Sequence, residues 1–149
     1  KEIQRELDRS SRIQNKFSWI YLEEHIAERK KIITFSNVDK QNIEDTYDHI
    51  WNYQNDEELN LSREDIYCLA TALVLNIILV TDETNMLAVA EVFNIQAMDT
   101  LKLLKIMHSN SFIKNRELKS LFGYLIHIND FPKSWRKRIK NLFPFIKKY

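Results

Sequence analysis

The sequence predicts an α/β fold: a short parallel sheet with helices on both faces, in a helix-rich chain with extra helices toward the C-terminus. Three observations predict it. Ile77-Ile78-Leu79-Val80 is a short, continuous and mostly β-branched apolar run, the pattern of a strand covered on both faces. Helical stripes flank it, with Ile66, Leu69, Ala70, Leu73 and Val74 before it and Met86, Val89, Ala90 and Phe93 at i, i+3, i+4 and i+7 after it. Ile95-Gln96-Ala97-Met98 then supplies a second short strand. Strand, helix, strand at this length is a βαβ unit, and its strands run parallel.

The remaining elements follow in order. Lys1 to Arg12 reads as a helix, with Ile3 and Leu7 at i, i+4. Phe17 to Arg29 reads as a second, with Trp19, Ile20, Leu22 and Ile26 as its apolar side. Lys31 to Phe35 (KIITF) has strand composition. Asp39 to Gln54 is a third helix whose buried stripe is Ile43, Tyr47, Ile50 and Trp51. Asn55 to Asn60 is a polar, acidic loop. After the βαβ unit a helix starts near Thr100 and runs to Met107, and His108 to Ser111 is a linker. Lys114 to Ile128 forms another helix with Leu118, Leu121, Phe122 and Leu125 on one side; Gly123 is its weak point. Asp130-Phe131-Pro132 reads as the cap and start of a last helix. That helix, Lys133 to Phe143, is basic, with Trp135, Ile139, Leu142 and Phe143 as its apolar edge.

Composition bounds the function classes. A chain of 149 residues, 44% hydrophobic and 29% charged, can bury one core, which excludes wholesale disorder. It is read as one domain, 1–149, with 112–149 as its helical C-terminal extension. One Gly and two Pro leave room for few tight turns. Cys68 is alone, so no intramolecular disulfide forms and a cytoplasmic setting is expected. No apolar run approaches the ~20 residues needed to span a bilayer, so no membrane is expected. Charge is uneven. Residues 1–100 hold 10 Lys and Arg against 19 Asp and Glu, a net −9, while residues 101–149 hold 12 against 2, a net +10. An acidic body beside a basic region can position a polyanion next to a metal site.

The central stretch resembles the C-terminal half of a PIN-domain nuclease. The residues that carry the resemblance are Asp65 early in its helix, Ala70 and Ala72 within it, Leu79-Val80-Thr81-Asp82-Glu83, then Ala90, Ile95 and the helix start Asp99-Thr100-Leu101. Asn76 and Asn94 stand where the family usually has Gly, and Asn tolerates the left-handed backbone needed after a helix. The resemblance implies an endoribonuclease that uses Mg²⁺ or Mn²⁺ to cleave RNA, of the kind found as toxins in toxin–antitoxin pairs. RNA, an antitoxin protein and a second copy of the chain are the partners it implies. It also makes Glu6-Leu7 a candidate for the family's acidic "Glu-Leu" pair, with Glu6 as a catalytic and metal-binding residue, against the alternative that Glu6 is a solvated helix residue.

Asp65 and Asp82 are the strongest pair for that chemistry. A strand that doubles back along the preceding helix brings the end of one to the first turn of the other. Two carboxylates held close raise each other's pKa unless a cation sits between them. A hard divalent ion resolves the conflict and can activate water against a phosphodiester. Glu83 is a further ligand or a base acting through water, and Thr81 can hold an oxygen with its hydroxyl. The same residues have a structural reading. Ser62-Arg63-Glu64-Asp65 has the spacing of a capping box, and Asp82 or Thr84 can cap the next helix. Arg136, Lys137, Arg138 and Lys140, with Trp135, are the candidate nucleic-acid contacts, against the alternative of a solvated basic face. The four histidines have no metal-ligand spacing, and there is no HExxH, CxxC or phosphate-cradling Gly loop.

The chain departs from the family at its start. PIN domains open with a strand ending in an acid, then a second strand, and neither is seen before Lys1. KIITF would be an outer strand on the far side of the sheet from Ile77–Val80. Residues upstream of Lys1 are therefore expected, since a sheet without its middle leaves backbone groups unpaired. The alternative is a catalytically inactive PIN-like module that binds nucleic acid or protein.

Overall fold

The computed structural model describes residues 9–29 and 34–146. Its elements are α1 (Ser11–Lys16), a 3₁₀ turn (Ser18–Tyr21), α2 (Glu23–Arg29), α3 (Asn37–Asp56), α4 (Arg63–Leu75), β1 (Leu79–Val80), α5 (Thr84–Val92), β2 (Ala97–Met98), α6 (Thr100–Ser109), α7 (Asn115–His127) and α8 (Trp135–Leu142). No helix among the described residues is long and apolar enough to cross a membrane.

Local chemistry sets the helix ends. Ser10, Ser36, Ser62 and Asp99 lie in extended backbone, and each side chain accepts the N–H three residues on, at Ile13, Asp39, Asp65 and Lys102. Ser36 with Asp39 and Ser62 with Asp65 complete reciprocal capping boxes. Five helices end in the same way. Glu58, Asn76, Asn94, Ser111 and Asn129 take φ between 50° and 61°. The N–H of the residue after each reaches back to a carbonyl of the last turn: Leu59 to Gln54 (3.0 Å), Ile77 to Ala72 (3.1 Å), Ile95 to Ala90 (2.7 Å), Phe112 to Met107 (2.9 Å) and Asp130 to Leu125 (2.8 Å). This is the Schellman closure, which glycine usually serves. Asn fills three of the five positions, so a chain with one Gly still stops its helices cleanly.

The sheet is short. β1 and β2 pair in parallel, Leu79 opposite Ala97 and Val80 opposite Met98, with α5 as the crossover. Leu79 N–H donates to Gln96 O at 2.8 Å, and Thr81 N–H to Met98 O at 3.0 Å. The mixed α/β class is as expected, but the apolar run is not a strand covered on both faces. Only Leu79 and Val80 pair, and Ile77, Ile78 and Val80 are 41%, 51% and 41% exposed. The Ile77 N–H closes the Schellman motif of α4, so the first residue of the run belongs to the helix stop rather than to the ladder.

Buried side chains form two clusters. The first joins Ile43 and Ile50 of α3, Ile66, Leu69 and Ala70 of α4, and Val89 and Ala90 of α5; Leu79 packs against it. The second joins Leu101 and Leu104 of α6, Leu118 and Phe122 of α7, Trp135 and Ile139 of α8, and Phe143. It therefore draws on α6 as well as on residues beyond 112. Phe122 meets Phe131, Trp135 and Phe143 edge to face, with ring centroids 6.3, 6.1 and 5.7 Å apart, the arrangement favoured by the aromatic quadrupole.

Three further expectations change. Phe17–Arg29 is not one helix: the backbone extends at Leu22 (ψ 145°), separating the 3₁₀ turn from α2, and Trp19 and Leu22 are 47% and 52% exposed. The run Phe17-Ser18-Trp19-Ile20-Tyr21 is made of residues that lose side-chain freedom in a helix or compete with its backbone. Asp130 does not cap the last helix. It faces the N-terminal segment, pairing with Arg12 and, at 3.1 Å, with Lys16, while Tyr124 Oη donates to Lys16 O at 2.6 Å. The Arg12 guanidinium holds the Asp130 carboxyl below its ordinary pKa. Thr34 and Phe35 are not in a strand, and Phe35 packs on the first cluster. The rest of KIITF and the Glu6-Leu7 pair lie outside the described residues.

Candidate functional site

The chain leaves both strands at one end of the sheet, and acidic residues gather there. After β1, Thr81 Oγ1 accepts the Glu83 N–H at 3.1 Å and donates to Met86 Sδ at 3.3 Å. That pair of bonds shapes the turn into α5 and leaves Asp82 and Glu83 exposed. Glu83 takes the backbone position of an N-cap but makes no capping hydrogen bond with its side chain. Asp82 caps a different helix from the one that follows it: its Oδ1 accepts the Thr100 N–H at the start of α6, at 3.3 Å. After β2, Asp99 Oδ1 accepts the Lys102 N–H at 2.8 Å, and Oδ2 pairs with the Arg138 guanidinium. Two carboxylates thus converge on the first turn of α6, where the helix dipole favours negative charge.

Asp65 is held separately. Its Oδ2 accepts from the Ser62 N–H at 3.1 Å and the Ser62 hydroxyl at 2.7 Å, and its own N–H donates to Ser62 Oγ at 3.1 Å. Asn85 Nδ2 donates to Leu59 O at 2.6 Å, which ties the chain ahead of α4 to the first turn of α5. The starts of α4 and α5 are therefore neighbours. Beside them opens a polar hollow of about 460 Å³ lined by Gln54, Asn55, Glu58, Asn60 and Leu61.

The structure brings Asp82 and Asp99 to the same helix start, that of α6, and gives Asp65 a bond set of its own. Among the described residues no three His, Cys, Asp or Glu side chains are grouped so as to hold a metal ion. Glu6 lies outside the described residues. The donor chemistry nonetheless fits a hard ion. Mg²⁺ keeps most of its waters and takes one or two carboxylates, and the exposed Asp82 and Glu83 supply oxygen donors of that kind. Asp99 was legible in the sequence only as a helix start; a carboxylate one residue beyond the second strand of a βαβ unit is the signal that marks it.

The basic region needs one correction. Trp135 is 4% exposed, with its ring 6.1 Å from Phe122 and 5.8 Å from Phe131, so it cannot stack on a ligand. The same apolar edge that defines α8 turns Trp135 inward with Ile139. Arg136, Lys137 and Lys140 face solvent. Arg138 is half-exposed and shared with Asp99, which links the basic helix to the acidic end of the sheet.

Compared with known proteins, the chain matches no family model, no curated protein and no solved structure.

Proposed function

We propose that the chain acts on RNA, as a PIN-like domain that cleaves phosphodiesters with Mg²⁺ or Mn²⁺. One observation carries the reading: Asp82 and Glu83 stand exposed just beyond the carboxyl end of β1 in a parallel βαβ unit, the place where such sheets take their ligands. Asp82 and Glu83 would hold the ion, with Asp65 and Glu6 as the further carboxylates of the PIN pattern. The bound ion would supply Lewis-acid stabilisation and an activated water. The chain's own residues orient and bind. Thr81 fixes the Glu83 backbone through its hydroxyl, and Arg136, Lys137 and Lys140 attract phosphates. The cytoplasm is the setting of this reading, a toxin–antitoxin pair its most specific form, and an antitoxin or a second copy its protein partner.

A second reading has an observation in its favour. Asp65 and Asp82 are both already engaged at helix starts, as they would be in a PIN-like module that binds without cleaving. Labelled single-stranded RNA separates the two. Incubation with Mn²⁺ should give cleavage by the wild type, loss of cleavage in Asp82→Asn, and loss with chelator. Equal cleavage by both proteins, or cleavage that survives chelator, removes the metal mechanism. RNA binding by the wild type without cleavage selects the module.

A further inference from the structure

Phe112 is 80% exposed, the highest value among the large apolar side chains described. Its backbone is not loose. Ser111 takes φ 61°, Ser111 N–H donates to His108 O at 3.1 Å, and Phe112 N–H donates to Met107 O at 2.9 Å, so the ring stands on the closing turn of α6. The residue in the same position after α5, Ile95, is 7% exposed. One stop motif therefore turns its apolar side chain into the core and the other holds an aromatic ring in water.

The start of α7, which follows that ring in sequence, is polar and basic. His108 hydrogen-bonds Asn115 across the turn at 2.6 Å and lies against the Phe145 ring at 5.2 Å, which ties the end of α6 to the start of α7. Lys114 and Arg116 follow, both exposed, at the start of α7. Glu117 is the one acid of that first turn, and its Oε2 is engaged by the Lys114 N–H at 2.7 Å. Residues 101–149 as a whole hold 12 Lys and Arg against 2 Asp and Glu.

We propose that Phe112 is a base-stacking residue of a single-stranded RNA surface, with Lys114 and Arg116 holding the phosphates beside the stacked base. Charge complementarity selects the occupant: a net +10 region with an exposed ring suits a polyanion that carries free π-faces. The inference rests on the RNA reading above and refines it. Unpaired bases present faces that a Phe ring can cover, whereas paired bases are stacked on one another. Stacking tolerates any base, so Phe112 would confer preference for single strands rather than for sequence.

The test is binding to labelled oligouridine and to an RNA duplex, with chelator present so that cleavage plays no part. Phe112→Ala should weaken oligouridine binding by about tenfold, leave the salt slope unchanged and leave the melting temperature unchanged. Phe112→Trp should restore affinity. Lys114→Ala with Arg116→Ala should flatten the salt slope by about 0.7 for each phosphate lost. If the wild type binds and Phe112→Ala binds equally, the stacking role falls while the RNA reading stands. If the wild type binds no RNA, both fall together. Sedimentation showing a wild-type dimer that Phe112→Ala dissolves, with RNA affinity unaltered, assigns the ring to a protein interface and overturns the proposal.

Discussion

Asp82, two residues past the end of β1, accepts a hydrogen bond from the backbone N–H of Thr100, the first residue of α6, at 3.3 Å. Eighteen residues separate the two in sequence. The bond links the exit of one strand to the helix that follows the other, so the exposed carboxylate proposed to hold the ion is also a helix cap.

That double role predicts a split outcome. An exposed charge at a helix N-terminus contributes about 0.3–1 kcal/mol. Asp82→Asn, which keeps the acceptor oxygen and loses the charge, should therefore lower stability by no more than about 1 kcal/mol, measured by urea unfolding. Under the nuclease reading it should reduce metal-dependent RNA cleavage by orders of magnitude, because rate depends on holding the ion and stability does not. A loss of activity matched by a loss of folded protein would make Asp82 structural.

Asp65 should behave differently. It shares a reciprocal capping box with Ser62, and losing such a cap costs about 1 kcal/mol. Ser62→Ala and Asp65→Ala should each lower the urea midpoint, and the double variant should lose less than the sum of the two, since they remove one motif. Asp65→Asn retains a side-chain acceptor and should lose least. Additive losses would show that the box does not act as a unit.

The helix stops are open to improvement. Glu58 and Ser111 hold the left-handed conformation without the local hydrogen bonding that suits Asn to it. Glu58→Gly and Ser111→Gly should each stabilise the fold by about 0.5–1 kcal/mol, while Asn76→Gly should be nearly neutral. Gly123 is the reverse case. It lies inside α7, and a Cβ added there meets nothing within 4 Å. Gly123→Ala should raise stability by about 0.5–1 kcal/mol. Thermal unfolding of the four variants checks the pattern, and a destabilising Gly123→Ala would contradict the packing around α7.

The Asp130 cluster carries a pH signature. The Arg12 hydrogen bond, with Lys16 beside it, depresses the Asp130 pKa in the folded chain. A depressed carboxylate contributes stability that is fully present above its unfolded pKa, about 3.9, and is lost as pH falls through the lower folded value. Asp130→Asn should therefore flatten the acid limb of stability below about pH 4 and leave the neutral-to-alkaline profile unchanged. Urea midpoints measured across that range in both proteins test it. Arg12 is 71% exposed, so the effect should shrink in high salt.

Much of this architecture is written locally. The stripes Ile43–Ile50 and Ile66–Leu69–Ala70 mark buried helix faces because a 3.6-residue period repeats within one segment. The Ser62 box is legible because capping spans three residues, and Asn76 because left-handed backbone is a property of single residues. The tertiary structure alone decides what depends on partners distant in sequence. No local pattern shows that Asp82 would cap α6 rather than α5, or that Asp130 would turn back to Arg12. Trp135 and Phe112 are both aromatic residues in a basic region, yet one is enclosed by Phe122 and Phe131 and the other stands in solvent. The apolar run Ile77–Val80 reads as fully buried by composition, but burial is a property of what packs against a strand. Helix periodicity and capping are short-range and sequential; exposure and carboxylate partners are set by the layers that meet, and only the folded chain brings those layers together.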